Sequence, residues 1–245
     1  MSEKKVALIS GANKGLGLET AKQLGKLGYT VLLGSRDPLK GEVAARLLRE
    51  DGIDARVVKL DVTKQSDIDG IAALVESEFG KLDVLVNNAG VMHEKGWTKN
   101  TTSETTMENL RATFEANLFA VFALTKSLLP ALKKSEAGRI VNVSSILGSV
   151  SLQATKGSPT YSTKLFAYNA SKAALNVLTI SLAHELRGTK IKVNSAHPGW
   201  VKTDLGGDAA PMSVVDGAKT EVELATLAED GPTGGFFHNG KEIAW

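Results

Sequence analysis

Val6-Ala7-Leu8-Ile9-Ser10-Gly11-Ala12-Asn13-Lys14-Gly15-Leu16-Gly17 runs from four apolar residues through a glycine cluster into a segment of helical periodicity that ends near residue 27. An apolar run of that length, closed by glycine, reads as a buried strand. The glycines let backbone approach a ligand closely, and a helix that starts right after the turn offers its free N–H groups to a phosphate. The spacing is Gly-x-x-x-Gly-x-Gly, which differs from the common dinucleotide turn, and no Gly-Lys-Ser/Thr follows to make a P-loop. On this stretch alone the plainer reading, three glycines making a tight strand-to-helix turn, stays open.

The alternation continues outward from this stretch to the end of the chain. Strand-like runs lie at 6–9, 30–33, 55–60, 82–86, 139–143 and 191–194, with 235–237 as a seventh; helical patterns lie at about 15–27, 40–51, 64–79, 106–133, 166–187 and 214–228. Strands separated by helices require right-handed crossovers, so the sheet is predicted to be parallel and covered on both faces. The expectation is an α/β fold: one domain over residues 1–245, a doubly wound parallel sheet of six to seven strands with helices on both faces. A chain of 245 residues, 42% of them hydrophobic, is long enough to bury one substantial core. Polar irregular stretches at 92–106, 148–163 and 203–213 each follow a strand, the position that borders a ligand crevice in an open parallel sheet.

Composition narrows the function classes. With 29 basic and 27 acidic residues the net charge is +2, and no long run of like charges recommends nucleic acid or an anionic membrane as a partner. Cysteine is absent, which removes disulfides and thiolate chemistry. The four histidines, at 93, 184, 197 and 238, show no paired ligand spacing, so no metal site is expected; His184 is expected on the surface. No Gly-x-Ser-x-Gly elbow supports a hydrolase. The N-terminal apolar run is too short for a signal segment and no apolar segment approaches membrane length, so a cytoplasmic protein is expected.

The chemistry-bearing residues cluster in the second half. Tyr168-Asn169-Ala170-Ser171-Lys172 puts a tyrosine and a lysine four residues apart on one helix face. An ammonium beside a phenol favours the phenolate and is expected to pull its pKa down toward neutrality, which would let Tyr168 trade a proton with a substrate. Tyr161 and Lys164 form a second pair, but their three-residue spacing and the Ser158-Pro159 flank suggest a loop. The strand 139–143 ends in Ser144-Ser145, at the edge where α/β sheets bind ligands; two hydroxyls merely ending a strand is the alternative. Asn117 is a polar residue amid an apolar helix, a position more often structural than functional.

Taken together, Ser10 to Gly17, Asn87-Asn88-Ala89-Gly90, Ser145, Tyr168, Lys172 and Pro198-Gly199 resemble, in order and approximate spacing over essentially the whole chain, the motif series of the short-chain dehydrogenases/reductases, with carbonyl-reductase-like members the nearer match. Ser10 stands where that family usually has threonine; either residue supplies a hydroxyl to the turn. The resemblance implies a Rossmann-type fold and a nicotinamide cofactor held by Gly11, Asn13, Lys14, Gly15, Leu16 and Gly17. It further implies Asp61 and Val62 at the adenine, Asn88, Ala89 and Gly90 along the adenosine ribose, and Pro198, Gly199, Val201 and Thr203 near the nicotinamide, with Thr203 at its carboxamide. Ser145, chosen over Ser144, would polarise a substrate carbonyl, Tyr168 would exchange the proton, Lys172 would lower the pKa of Tyr168 and bond the nicotinamide ribose, and Asn117 would hold a water linking Lys172 to solvent. For Asp61 a helix cap at a strand end is the alternative, and Trp200 reads as a packed loop aromatic.

Cofactor choice rests on Leu33-Gly34-Ser35-Arg36-Asp37-Pro38. An NAD site commonly has a carboxylate at the end of the second strand; here Ser35 occupies that place and Arg36 follows, with a fork suited to a 2'-phosphate. Lys14 adds a second cation. Asp37 before Pro38 reads as a helix N-cap with proline in the first turn. NADP(H) is therefore expected, with a small carbonyl compound or alcohol as substrate. The 22 residues between Ser145 and Tyr168 exceed the interval of the commonest family members. In carbonyl-reductase-like members a longer segment here covers a helix surface used by others for dimerisation, which implies a monomer or homodimer rather than a tetramer. An alcohol dehydrogenase, a specific biosynthetic reductase and a non-catalytic NADP(H) sensor are the competing functions.

Overall fold

The structure, a computed structural model, describes residues 4–94, 96 and 100–245; the polar stretch 92–106 therefore lies partly outside the described residues. In chain order the elements are β1 (Val6–Ser10), α1 (Gly15–Lys26), β2 (Thr30–Ser35), α2 (Pro38–Glu50), β3 (Ala55–Lys59), α3 (Gln65–Glu78), β4 (Val84–Asn87), α4 (Met107–Phe114), α5 (Ala120–Lys133), β5 (Arg139–Val143), α6 (Val150–Ala154), α7 (Phe166–Glu185), β6 (Lys192–Ala196), α8 (Val214–Ala225), β7 (Phe236–His238) and β8 (Lys241–Glu242). They form one sheet in the order β3-β2-β1-β4-β5-β6-β7-β8. Every pairing is parallel except the last, β7 with β8.

Side chains alternate across a strand, and the two cores follow from that. Ala7 and Ile9 of β1 face one side with Val31, Leu33, Val84 and Val86, against Ala21 and Leu24 of α1, Ala44 and Leu48 of α2 and Leu224 of α8. Val6 and Leu8 face the other side with Leu32, Leu85 and Ile140, against Ile68, Ile71 and Val75 of α3 and Leu124 and Leu128 of α5. Burial on both faces is why these strands are continuously apolar rather than alternating. The crossovers leave β1 and β4 toward opposite edges of the sheet, so a crevice opens where the carboxyl ends of these two strands diverge.

Several boundaries differ from the sequence expectation for identifiable reasons. The sheet has eight strands, because Asn239 (φ 47°) and Gly240 (φ 70°) form a tight turn that pairs Phe237 with Glu242; the exposed two-residue β8 carries no hydrophobic pattern. Helix α2 begins at Pro38, earlier than 40, since Asp37 caps it by accepting from the N–H groups of Leu39 at 3.0 Å and Lys40 at 3.2 Å. The expected helix 106–133 is broken by a π turn, Glu115–Phe119. Helix α8 stops at Ala225, short of 228; beyond it the buried Arg139 guanidinium takes the carbonyls of Leu227, at 2.6 Å, and Ala228, at 3.2 Å. Contrary to the expectation that no segment reaches membrane length, the helical stretch Met107–Lys133 is long and apolar enough by composition, but half of its apolar window is buried and it supplies Leu124, Leu128 and Leu132 to the core.

The 148–163 stretch is not wholly irregular. A 3-10 turn, Ile146–Gly148, leads into α6, capped by Ser149. The segment closes on itself and on the start of α7, where Lys164 Nζ donates to the Gln153 carbonyl and Asn169 Nδ2 to the Thr163 carbonyl. Phe119 on the π turn, Phe122 on α5 and Val177 on α7 remain more than half exposed. Tyr161 and Lys164 lie in the connection before α7, as expected, with the ammonium 5.2 Å from the ring centroid.

Candidate active site

The carboxyl ends of β1 and β4 are stitched together by Ser10. Its hydroxyl accepts from the N–H groups of Asn88 and Ala89, both at 3.0 Å, and the Asn88 amide returns bonds to the carbonyls of Ser10 and Gly11. Gly11 and Gly15 have φ of 65° and 56°, the left-handed region that favours glycine. Gly17 is required by space: a Cβ there would stand 2.4 Å from Asn88 Nδ2. The Asn88 side chain thus supports the turn from within, and Asn88, Ala89 and Gly90 together line the cleft wall. Helix α1 then starts with Lys14 at its N-cap and no side-chain cap, so its first N–H groups are left for a ligand or water.

A cleft of about 930 Å³ extends from this turn. It is lined by every residue the sequence singled out as a cofactor or reacting group except Asn117, the line running from Gly11, Asn13, Lys14, Gly15, Leu16 and Gly17 to Arg36, Asp61 and Val62, and from Asn88, Ala89 and Gly90 to Ser145, Tyr168, Lys172, Pro198, Gly199, Val201 and Thr203. Arg36 is exposed at the end of β2. Lys14 is not a free cation: its ammonium pairs with Asp204 across the cleft, which holds the Asp204 carboxyl below its ordinary pKa. Asp61 accepts at one oxygen from the N–H and hydroxyl of Thr63, at 3.1 and 2.8 Å; this is a local turn rather than the helix cap noted above, since α3 starts from Lys64 with no side-chain cap, and Asp61 lines the cleft.

At the far end the helix and strand termini bring Ser145, Tyr168 and Lys172 together, all of them nearly buried. The lowered phenol pKa expected from the Tyr168 and Lys172 spacing is not what the fold produces. Burial pushes the Tyr168 phenol up to about 12, the Ser145 hydroxyl bonded to it pulls the other way, and the charge of Glu94 adds to the rise. Lys172 is brought down to about 8 by burial, with Glu221 opposing. The ammonium lies 5.7 Å from the Tyr168 ring centroid and donates to the Val143 carbonyl at 2.7 Å. Desolvation therefore outweighs the lysine's attraction for a phenolate.

Asn117 sits behind this group on the π turn, fully buried. Its side chain accepts from Val91 N–H at 2.8 Å and donates to the Val91 carbonyl at 2.9 Å and to Ser171 Oγ at 3.0 Å. These bonds tie the amide to the loop after β4 and to α7. A Cβ at Gly90 would stand 3.2 Å from Asn117 Oδ1 and 3.5 Å from Lys172 Nζ, so Gly90 keeps the space between them narrow but open. Ser144 turns away to the Lys172 carbonyl, at 3.4 Å, leaving Ser145 beside the phenol.

The wall after β6 completes the cleft. Gly199 has φ of 94°, Thr203 Oγ1 accepts from Gly206 N–H at 3.1 Å, and Trp200 Nε1 donates to the Gly206 carbonyl at 2.8 Å. His197, read from the sequence as isolated, packs against His238 with ring centroids 4.9 Å apart and the rings tilted by 41°, because β6 pairs with β7. Burial, with His238 second, takes the His197 pKa down to about 3, so it is a neutral ring. Among the described residues no group of His, Asp and Glu is arranged to hold a metal. The residues that sequence reasoning missed are Glu94, Asp204 and His197; each acts through a partner distant in sequence, and no local motif marks it.

A model of the short chain dehydrogenase family matches residues 5–213. Mouse carbonyl reductase 1 (NADPH) is 33% identical over 287 residues, covering 100% of this chain and 99% of that protein. The (+)-neomenthol dehydrogenase of Capsicum annuum is 30% identical, with 98% and 97% covered. Among solved structures, NADPH-bound carbonyl reductase from chicken fatty liver superposes with a TM-score of 0.86 at 29% identity, covering all of both chains.

Proposed function

This chain belongs to the short chain dehydrogenase family, and on that premise we propose that it is an NADPH-dependent reductase that converts a ketone or aldehyde to the alcohol. The observation that carries the reading is the convergence of Ser145, Tyr168 and Lys172 at one end of a cleft whose other end is the glycine turn and Arg36. The residues fit an extended dinucleotide phosphate. A Cβ at Gly15 would meet nothing nearer than Thr203, at 3.6 Å, so the turn is open toward the cleft; the uncapped start of α1 suits the pyrophosphate, and the Arg36 fork suits a 2'-phosphate. Lys14 would exchange Asp204 for that phosphate, and Pro198, Gly199, Val201 and Thr203 would hold the nicotinamide end. When bound, the cofactor supplies the hydride.

The chain's own residues supply the rest. Tyr168, protonated across the physiological range, gives its proton to the carbonyl oxygen. Ser145 Oγ accepts from Leu147 N–H at 3.2 Å, which leaves its own proton to donate to that oxygen as negative charge develops. Lys172, held on the Val143 carbonyl, keeps a positive charge beside the phenol, and Asn117 fixes Val91 and α7 around both. The apolar contacts near Tyr168, made by Leu147, Leu165, Met92 and Leu205, suit an uncharged substrate.

The test is the loss of NADPH absorbance with a panel of aldehydes, ketones and quinones. Turnover is expected with at least one carbonyl, and Tyr168→Phe is expected to lower kcat/KM by about a hundredfold or more while NADPH affinity changes little. Tight NADPH binding without turnover on any carbonyl would sink the reductase reading in favour of a sensor.

A further inference from the structure

Glu94 stands on the loop after β4, and its Oε1 accepts from the backbone N–H of Tyr168 at 3.0 Å. Tyr168 lies in the first turn of α7, where N–H groups have no partner within the helix; Leu165 at the cap provides no side-chain bond. A carboxylate there completes the turn and faces the positive end of the helix dipole. Capping accounts for one oxygen only. The other, Oε2, is buried without a hydrogen-bond partner, a costly arrangement for an ionisable group that serves only as a cap. That charge acts on the phenol of the same tyrosine, opposing loss of its proton.

We propose that Glu94 is a positioning residue of this active site: it ties the loop after β4 to the backbone of the proton-donating tyrosine and sets how alkaline the solution must become before that tyrosine turns from acid to base. The inference rests on the reading of Tyr168 as proton donor. Among the described residues, the charged and titratable groups that act on or face Tyr168 are Glu94 from the loop after β4, the Ser145 hydroxyl from the end of β5 and Lys172 from α7 itself. Glu221 of α8 acts on Lys172. Glu94 is thus the anion whose removal should be felt at the phenol directly.

Glu94→Gln keeps an amide oxygen to accept from Tyr168 N–H and removes the charge; Glu94→Ala removes both. The alkaline limb of the kcat/KM profile for carbonyl reduction is expected to move about one pH unit lower in both variants, with a rise in KM in the alanine variant alone. A glutamine variant whose limb stays at the wild-type pH overturns the inference. A second readout needs no turnover: the ultraviolet difference spectrum of phenolate formation, isolated by subtracting Tyr168→Phe, is expected to titrate at lower pH in Glu94→Gln, and an unmoved titration overturns the inference in the same way. If the wild type oxidises no NADPH with any carbonyl, the reductase reading fails while the spectrum still decides the role of Glu94.

Discussion

A lysine one helical turn from a tyrosine states an intention that burial can reverse. Tyr168 and Lys172 share a helix face as their spacing demands, yet the phenol rises and the ammonium falls, because both ionised forms lose water. On the proposed reductase reading the consequence favours reduction: at neutral pH the tyrosine holds the proton it would give. Ser10 makes the same point for structure. It was legible as a hydroxyl bonding the glycine turn, but not as the acceptor for two N–H groups of β4's end, a partner nearly eighty residues away. Ser10→Ala removes the acceptor of the part-buried Asn88 and Ala89 N–H groups, of which Asn88 keeps the Val86 carbonyl at 3.1 Å, and is expected to cost about 1 to 3 kcal/mol, read as a lower urea midpoint at unchanged slope. Ser10→Thr keeps the hydroxyl and should cost less.

Between elements, what could be read from the sequence and what could not divide by the range of the interaction. The strand–helix alternation, the Asp37-Pro38 helix start and the glycine turn are local signals, and all are present as expected. The π turn at Asn117, the early end of α8 at Arg139 and the contact of His197 with His238 depend on packing between distant segments, and periodicity carries none of them. The buried join between α1 and α8 is a further case. Glu221, which no local motif marks, is fully buried and accepts from Thr20 Oγ1 at 2.6 Å, with its other oxygen unpartnered. Burial pushes its pKa up to about 8, while Thr20 and Lys172 pull down. A folded pKa raised above the unfolded value means that the stability is fully present below about 4.5 and is lost as pH rises through about 8. Thermal unfolding of Glu221→Gln should therefore lack that decline, its stability relative to wild type improving by on the order of a few kcal/mol between pH 5 and 8. Parallel curves for the two proteins over that window would mean that Glu221 stays ionised in the fold.

At the scale of the whole molecule, the cleft exists because the sheet winds both ways from β1 and β4, so that one half supplies the glycine turn and Arg36 and the other supplies Ser145, Tyr168, Lys172 and the wall after β6. A ligand that spans the cleft bonds both halves and binds the folded state alone. It must then stabilise the whole fold by mass action, by about 2.7 kcal/mol at a hundredfold excess over Kd, which for a chain of this size is a rise of about 5 to 10 °C in Tm. NADPH is expected to produce that rise, and NADH at the same concentration a smaller one, because only the former offers a 2'-phosphate to Arg36. Arg36→Leu, a change at an exposed position far from the reacting end, should leave the Tm of the ligand-free protein within about 1 °C of wild type and bring the NADPH shift down to that of NADH. An equal loss of both shifts would place Arg36 at the shared part of the dinucleotide instead, and the source of any cofactor preference would then have to be sought at Lys14, released from Asp204.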